Sequence, residues 1–231
     1  METRAWDRWA PASGIGFVVL YVIAFLPFLV VGESPALGDS AEEVAEYFTD
    51  NRGAVLTAVI LLGLAVPLFL AFVAAAAVSL RSAGEPLLAG IALATGVTAA
   101  AMLGALVVTF GALAQGVART ADAGVAKAIY DVSWSIEVLV SFPAAMFVLA
   151  VSAGGIGAGI LPRWFGWLGV VAALAFAVGG TTWASSGFWA PDGGYTTLTE
   201  LVFLAWLLAV SVLLLRRPQP AEAGQAAPAA M

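Results

Sequence analysis

Residues 54–80 read AVLTAVILLGLAVPLFLAFVAAAAVSL, with no charge between Arg52 and Arg81. An α-helix needs about 20 apolar residues to cross the hydrocarbon core of a bilayer, and this run exceeds that. Five further runs of the same character occupy residues 14–31, 87–114, 132–156, 165–185 and 198–215, and nearly every charge falls between them. The pattern predicts an all-α integral membrane bundle of six transmembrane helices. Hydrophobic residues make up 62% of the chain and charged residues 10%, against roughly one half and one quarter in soluble domains. No linker separates the runs, so residues 1–217 read as one transmembrane domain and residues 218–231 as a disordered cytoplasmic tail.

Cysteine and histidine are both absent. That removes disulfides, thiol nucleophiles, Cys/His zinc sites, imidazole bases and the common axial ligands of haem. The chain has no P-loop, no G-x-S-x-G and no H-E-x-x-H, and the expectation is a protein without enzymatic activity, cofactor or metal. Fifteen carboxylates against nine Lys plus Arg offer no basic face to a phosphate backbone, so the expected partner is the lipid bilayer and not nucleic acid. Lys127 and Asn51 are single occurrences in a chain rich in Ala, Gly and Val, a composition that suggests GC-rich coding and a bacterial source. Arg4 and Arg8 precede the first run, but that run is longer than a signal-peptide core and no A-x-A site follows it. It reads as a retained helix.

Six crossings put both termini on one side. That face collects Arg4, Arg8, Arg81, Arg163, Arg216 and Arg217, and the other has Arg52, Arg119 and Lys127. The positive-inside rule makes the richer face cytoplasmic, which places the chain in the inner (plasma) membrane with its termini inside. Glu2, Asp7, Glu85 and Glu222 are then inside and the other eleven carboxylates outside. Trp6, Trp9, Trp164 and Trp167 fall on the inner interface, and Tyr130, Trp134, Trp189 and Tyr195 on the outer, where aromatic belts are expected. Trp206 sits mid-run, and its indole N–H needs a partner inside the bundle or a water.

The longest polar stretch, between the first two runs, carries Asp39 or Ser40 as an N-cap with Glu42 or Glu43 three residues on, the signature of a capping box. Val44, Tyr47 and Phe48 recur at i, i+3 and i+4, so residues 40–51 predict a short amphipathic outer helix lying on the membrane or capping the bundle. Pro27, Pro67 and Pro143 interrupt three runs. Each removes a backbone hydrogen bond and predicts a kink. Ala92, Gly96, Ala100 and Gly104 form a small-xxx-small stripe, with Gly96, Ala100 and Gly104 expected to pack on another helix of the chain. The same stripe could instead face a second copy and make a homo-oligomer. The sequence names no protein partner.

Residues 161–167 read LPRWFGW, with Pro162 suited to a first helical position and two tryptophans near one turn apart. This segment is similar to one found in uncharacterised bacterial multi-pass membrane proteins of about this length. The resemblance extends to the acidic segment after the first run, Asn51-Arg52-Gly53 before the second, and Phe142-Pro143 in the fourth. It implies architecture alone, because that family is a domain of unknown function.

A carboxylate inside a membrane helix is costly and marks a functional hypothesis. Glu137 and Glu200 qualify, both near the outer ends of their runs. Ser133, Glu137 and Ser141 share one helical face and could line an outward-open cavity with Thr197 or Glu200, with Arg52, Arg119 or Lys127 supplying a countercharge. The bland alternative is favourable interaction of an acidic first turn with the helix dipole. Two functions follow: a structural, accessory or lipid-interacting membrane component, or a small-solute or proton-coupled carrier or channel using Glu137. A carrier needs a cavity reaching past Glu137 toward the inner face.

Overall fold

A computed structural model describes residues 3–31 and 34–216, and every regular element in them is helical. The expected tail at 218–231 lies outside the described residues. The chain runs through α1 (Thr3–Phe25), α2 (Phe28–Val31), α3 (Ala41–Asp50), α4 (Arg52–Ser82), α5 (Pro86–Ala112), a π turn at Leu113–Val117, α6 (Ala118–Thr120), α7 (Ala123–Gly157), α8 (Arg163–Gly179) and α9 (Gly194–Leu215).

Four helical segments are long and apolar enough to cross a membrane: α4, the continuous Pro86–Thr120, α7 and α9. Six are expected from the apolar runs; beside these four stand two shorter apolar helices, Trp9–Phe25 and Arg163–Gly179. The first run is cut where Pro27, which has no N–H to donate, ends α1 at Phe25. The fifth ends at Gly179 and Gly180, not at residue 185, leaving α8 with 17 residues. Pro67 and Pro143 lie inside α4 and α7 without ending them, and α1 passes through Pro11 in the same way.

Helices also outrun their apolar stretches, because extending a formed helix costs far less than nucleating one. α7 was expected from residue 132 and starts at Ala123, where the Asp122 carboxylate caps it by accepting from the Gly124 N–H at 2.8 Å. α9 starts at Gly194 rather than at residue 198. The turn between α4 and α5 closes on Gly84, whose φ of 90° suits a residue without a Cβ.

The six long helices close a ring in which α1 touches α4, α4 touches α5, α5 touches α7, α7 touches α8, α8 touches α9, and α9 returns to α1. α3 lies across one end, against α7, α6 and α4. Ile60, Leu64, Val78, Val108, Val171, Leu174 and Leu201 are exposed on the periphery, an apolar girdle that a water-soluble domain would bury. Inside, alanines admit close approach and phenylalanines fill the volume: Phe72, Val73, Phe147 and Leu207 are fully buried. Phe147 meets Phe69, Phe72 and Trp206 edge-on at ring-centre separations of 5.7, 6.2 and 5.9 Å. Within the small-residue stripe, Ala92, Gly96 and Ala100 are buried. A Cβ added at Gly96 would stand 2.6 Å from Val73 and 3.0 Å from Phe147, whereas one at Gly104 meets no atom within 4 Å. The stripe thus packs at Gly96 and Ala100, and the expected contact at Gly104 is missing. The Trp206 indole N–H is buried with no hydrogen-bond partner.

Candidate functional site

At the α3 end the ring is not filled. Ser40 caps α3 by accepting from the Glu43 N–H at 3.2 Å, and Glu43 accepts from the Ser40 N–H at 2.8 Å and from its hydroxyl at 2.9 Å. These bonds to Ser40 hold the Glu43 carboxyl below its usual range. Of the two sequence options the capping box uses Ser40 and Glu43. Its apolar face buries Val44 and Phe48 against Leu113, Ala114, Ala126 and Tyr130, so α3 caps the bundle. Burial raises the pKa of the Tyr47 hydroxyl on the same helix.

The loop entering α3 is tied to α7. The Tyr130 hydroxyl donates to the Pro35 carbonyl, and the Lys127 ammonium donates to the Leu37 carbonyl at 3.0 Å while pairing with Asp131. Lys127 is therefore spent on the loop. Arg119 donates to the Gln115 carbonyl at 2.8 Å, and Arg52 is exposed. None of the three lines the cavity beneath, contrary to the expectation of a countercharge for Glu137.

That cavity has a volume of about 310 Å³ and is bounded by α1, α3, α4, α5, α7 and α9. Its wall is aromatic: Phe48, Phe110, Tyr130 and Trp134 contact one another edge-on, with Phe110 to Tyr130 and Phe110 to Trp134 each at 6.2 Å. Its floor is acidic. Glu137 of α7 and Glu200 of α9 both line it, together with Tyr21 of α1. Two ionised carboxylates facing one small cavity repel each other, the more strongly the less water screens them. The pair therefore calls for a positive charge, a proton or a cation. A smaller chamber of about 90 Å³ continues past it, lined by Ser141, Thr199 and Phe176 as well as both carboxylates. Below that, Phe72, Phe147 and Trp206 close the bundle.

The four candidate polar residues therefore divide. Glu137 and Glu200 share the cavity floor, and Ser141 lines the deeper chamber. Ser133 lines neither, because its hydroxyl bonds the Thr109 hydroxyl of α5 and the Ile129 carbonyl, each at 2.8 Å. Sequence reasoning missed Tyr21, the single hydroxyl in the apolar run 14–31 and the available signal, and it read Tyr130 and Trp134 only as interface anchors. Two cavity-lining groups, the Tyr47 hydroxyl and the Trp134 indole N–H, are buried without partners. Among the described residues no three Asp or Glu cluster as a metal site would need.

No protein-family model, curated protein or solved structure matches this chain.

Proposed function

We propose that the chain is a six-span, non-enzymatic protein of a bacterial plasma membrane that binds a small molecule from the outer side, in the cavity floored by Glu137 and Glu200. The observation that carries this reading is that two carboxylates from separate helices line one cavity of about 310 Å³, a size at the low end of small-molecule sites. The shorter apolar helices complete six crossings in this reading. The 17 residues of α8 span ~26 Å, near the lower limit for a transmembrane helix. The six-to-three split of basic residues supports the outward orientation of the α3 end. Both termini are then cytoplasmic. The likeness of residues 161–167 to an uncharacterised family is compatible with this architecture and adds no activity.

A second reading, an outward-open carrier, draws support from the deeper chamber, which extends past the carboxylates before the aromatic seal. A purely structural or accessory role has no use for the cavity.

Single cysteines in this cysteine-free chain test the reading. A membrane-impermeant thiol reagent added to intact cells should modify Thr196→Cys in the cavity and Glu46→Cys on α3, but not Leu207→Cys in the core or Ser82→Cys at the opposite end. Labelling of Ser82→Cys without Glu46→Cys would reverse the topology, and an unreactive Thr196→Cys would remove the binding reading.

A further inference from the structure

The cavity's chemistry is one-sided. Three carboxylates line it, those of Glu137, Glu200 and Asp192, and neither lysine nor arginine does. Tyr21, Phe25, Phe48, Phe110, Tyr130 and Trp134 contribute aromatic surface around them. Aromatic faces and carboxylates both attract positive charge, and the two together are the usual means of holding a substituted ammonium group. We propose that this cavity is a site for a small organic cation, with its ammonium over Glu137 and Glu200 and its apolar body against the aromatic wall.

This rests on the binding reading above and names its ligand class. An anion would face three carboxylates with no countercharge. A hard metal cation asks for six or more oxygen donors, while most of this wall is aromatic and aliphatic side chain. A neutral solute draws no attraction from the carboxylate charges, which a proton would then have to neutralise, whereas an ammonium pairs with them directly. The Tyr47 hydroxyl and the Trp134 indole N–H, buried and unpartnered near the α3 end, add a second point of recognition. They can donate to a hydroxyl or ether oxygen at the other end of the ligand. A leaving hydrogen bond there affects affinity, but the charge decides whether binding occurs.

A substituted ammonium could arrive as a free amine or as the headgroup of a choline or ethanolamine lipid. The test uses the full chain purified in detergent, with radiolabelled benzyltrimethylammonium and its uncharged carbon isostere, neopentylbenzene, in equilibrium binding. The cation should bind at least about tenfold more tightly than the isostere, a factor that corresponds to about 1.4 kcal/mol. Glu137→Gln with Glu200→Gln should abolish that preference, and Ser82→Ala at the opposite end of the bundle should leave it in place. Equal affinity for both compounds would overturn the cation assignment while leaving the binding reading intact. Binding of neither, with Thr196→Cys still reactive, would also overturn the assignment. An unreactive Thr196→Cys would instead remove the cavity. If the double variant does not fold, as judged by gel filtration, the comparison of the two compounds on the unaltered chain decides. Repeating the measurement in nanodiscs of phosphatidylglycerol and of phosphatidylcholine separates the sources. Unchanged affinity assigns the site to a free amine, and competition only in the choline lipid assigns it to a headgroup.

Discussion

Gly96 and Gly104 stand two turns apart on one face of α5, yet Gly→Ala should have opposite effects at them. At Gly96 the new methyl would lie 2.6 and 2.7 Å from the two methyl carbons of Val73 and 3.0 Å from a ring carbon of Phe147. Neither neighbour yields easily: Val73 is β-branched, and Phe147 is held by Phe69, Phe72 and Trp206. Overpacking of this kind costs about 1–3 kcal/mol, against a gain in helix propensity of about 0.8–1 kcal/mol. Gly96→Ala should therefore lower stability by up to about 2 kcal/mol net, or several degrees at about 2–4 °C per kcal/mol for a chain of this size. At Gly104 the methyl meets nothing, only the propensity gain remains, and the melting temperature should hold or rise. Val73→Ala combined with Gly96→Ala should recover about 0.5–3 kcal/mol relative to the sum of the single changes. The assay is thermal unfolding in one detergent, followed by far-ultraviolet dichroism. A Gly96→Ala protein at least as stable as the parent, or a Gly104→Ala protein clearly less stable, would refute the packing described for α5.

Ser40→Ala should cost about 1 kcal/mol of local α3 stability, read as faster amide hydrogen exchange at residues 41–48 with the core unaffected. Because Glu43 is held below its usual pKa by Ser40, its contribution is present above the ordinary carboxylate range and is lost as the pH falls through the lowered value. Protection of α3, corrected for intrinsic exchange, should decline there in the parent and in Ser40→Ala, which keeps the backbone N–H donating to Glu43, and not in Glu43→Gln; identical pH profiles for the parent and Glu43→Gln would count against the capping box. Tyr130→Phe keeps the ring contacts but leaves the buried Pro35 carbonyl unpaired, and it should cost about 1 kcal/mol and loosen the loop over the cavity. Equal protection of α3 in this variant would show that the tie is not structural.

What the sequence discloses here is whatever a short window contains. Uncharged runs locate the long helices, and Ser40 with Glu43 locates the start of α3, because hydropathy and capping are local properties. Helix ends were less legible. Residues 123–131, with Lys127 and Asp131 among them, fall outside the apolar run that begins at 132, yet Asp122 caps them into α7. Pro27 ends a helix while Pro67 and Pro143 do not, and the residues themselves do not distinguish the cases. Tertiary facts were least accessible. Ser133 and Glu137 share a face of α7, but Thr109 of α5 claims one and the other lines a cavity with Glu200 of α9, and those residues lie 24 and 63 positions away.

The position of the carboxylates along the bundle accounts for their cost. From Glu137 to the end of α7 at Gly157 there are about 20 residues, or ~30 Å of helix, the thickness of a hydrocarbon core. If the α7 terminus marks the inner boundary, as Trp164 and Trp167 just beyond it imply, Glu137 lies at the outer one. The ~21 Å of α7 before Glu137 then projects past the hydrocarbon, which is where Lys127 and Asp131 sit and where α3 packs. Its 35 residues are thereby explained: one part crosses, and the other builds the wall of the cavity. The same depth places the acidic pair below the cavity and above the sealed aromatic core, reachable from the outer water and screened from lipid by the surrounding helices. A carboxylate pair at the bilayer centre would be far more expensive. In the proposed orientation a cation arriving from outside would neutralise it there without first crossing hydrocarbon.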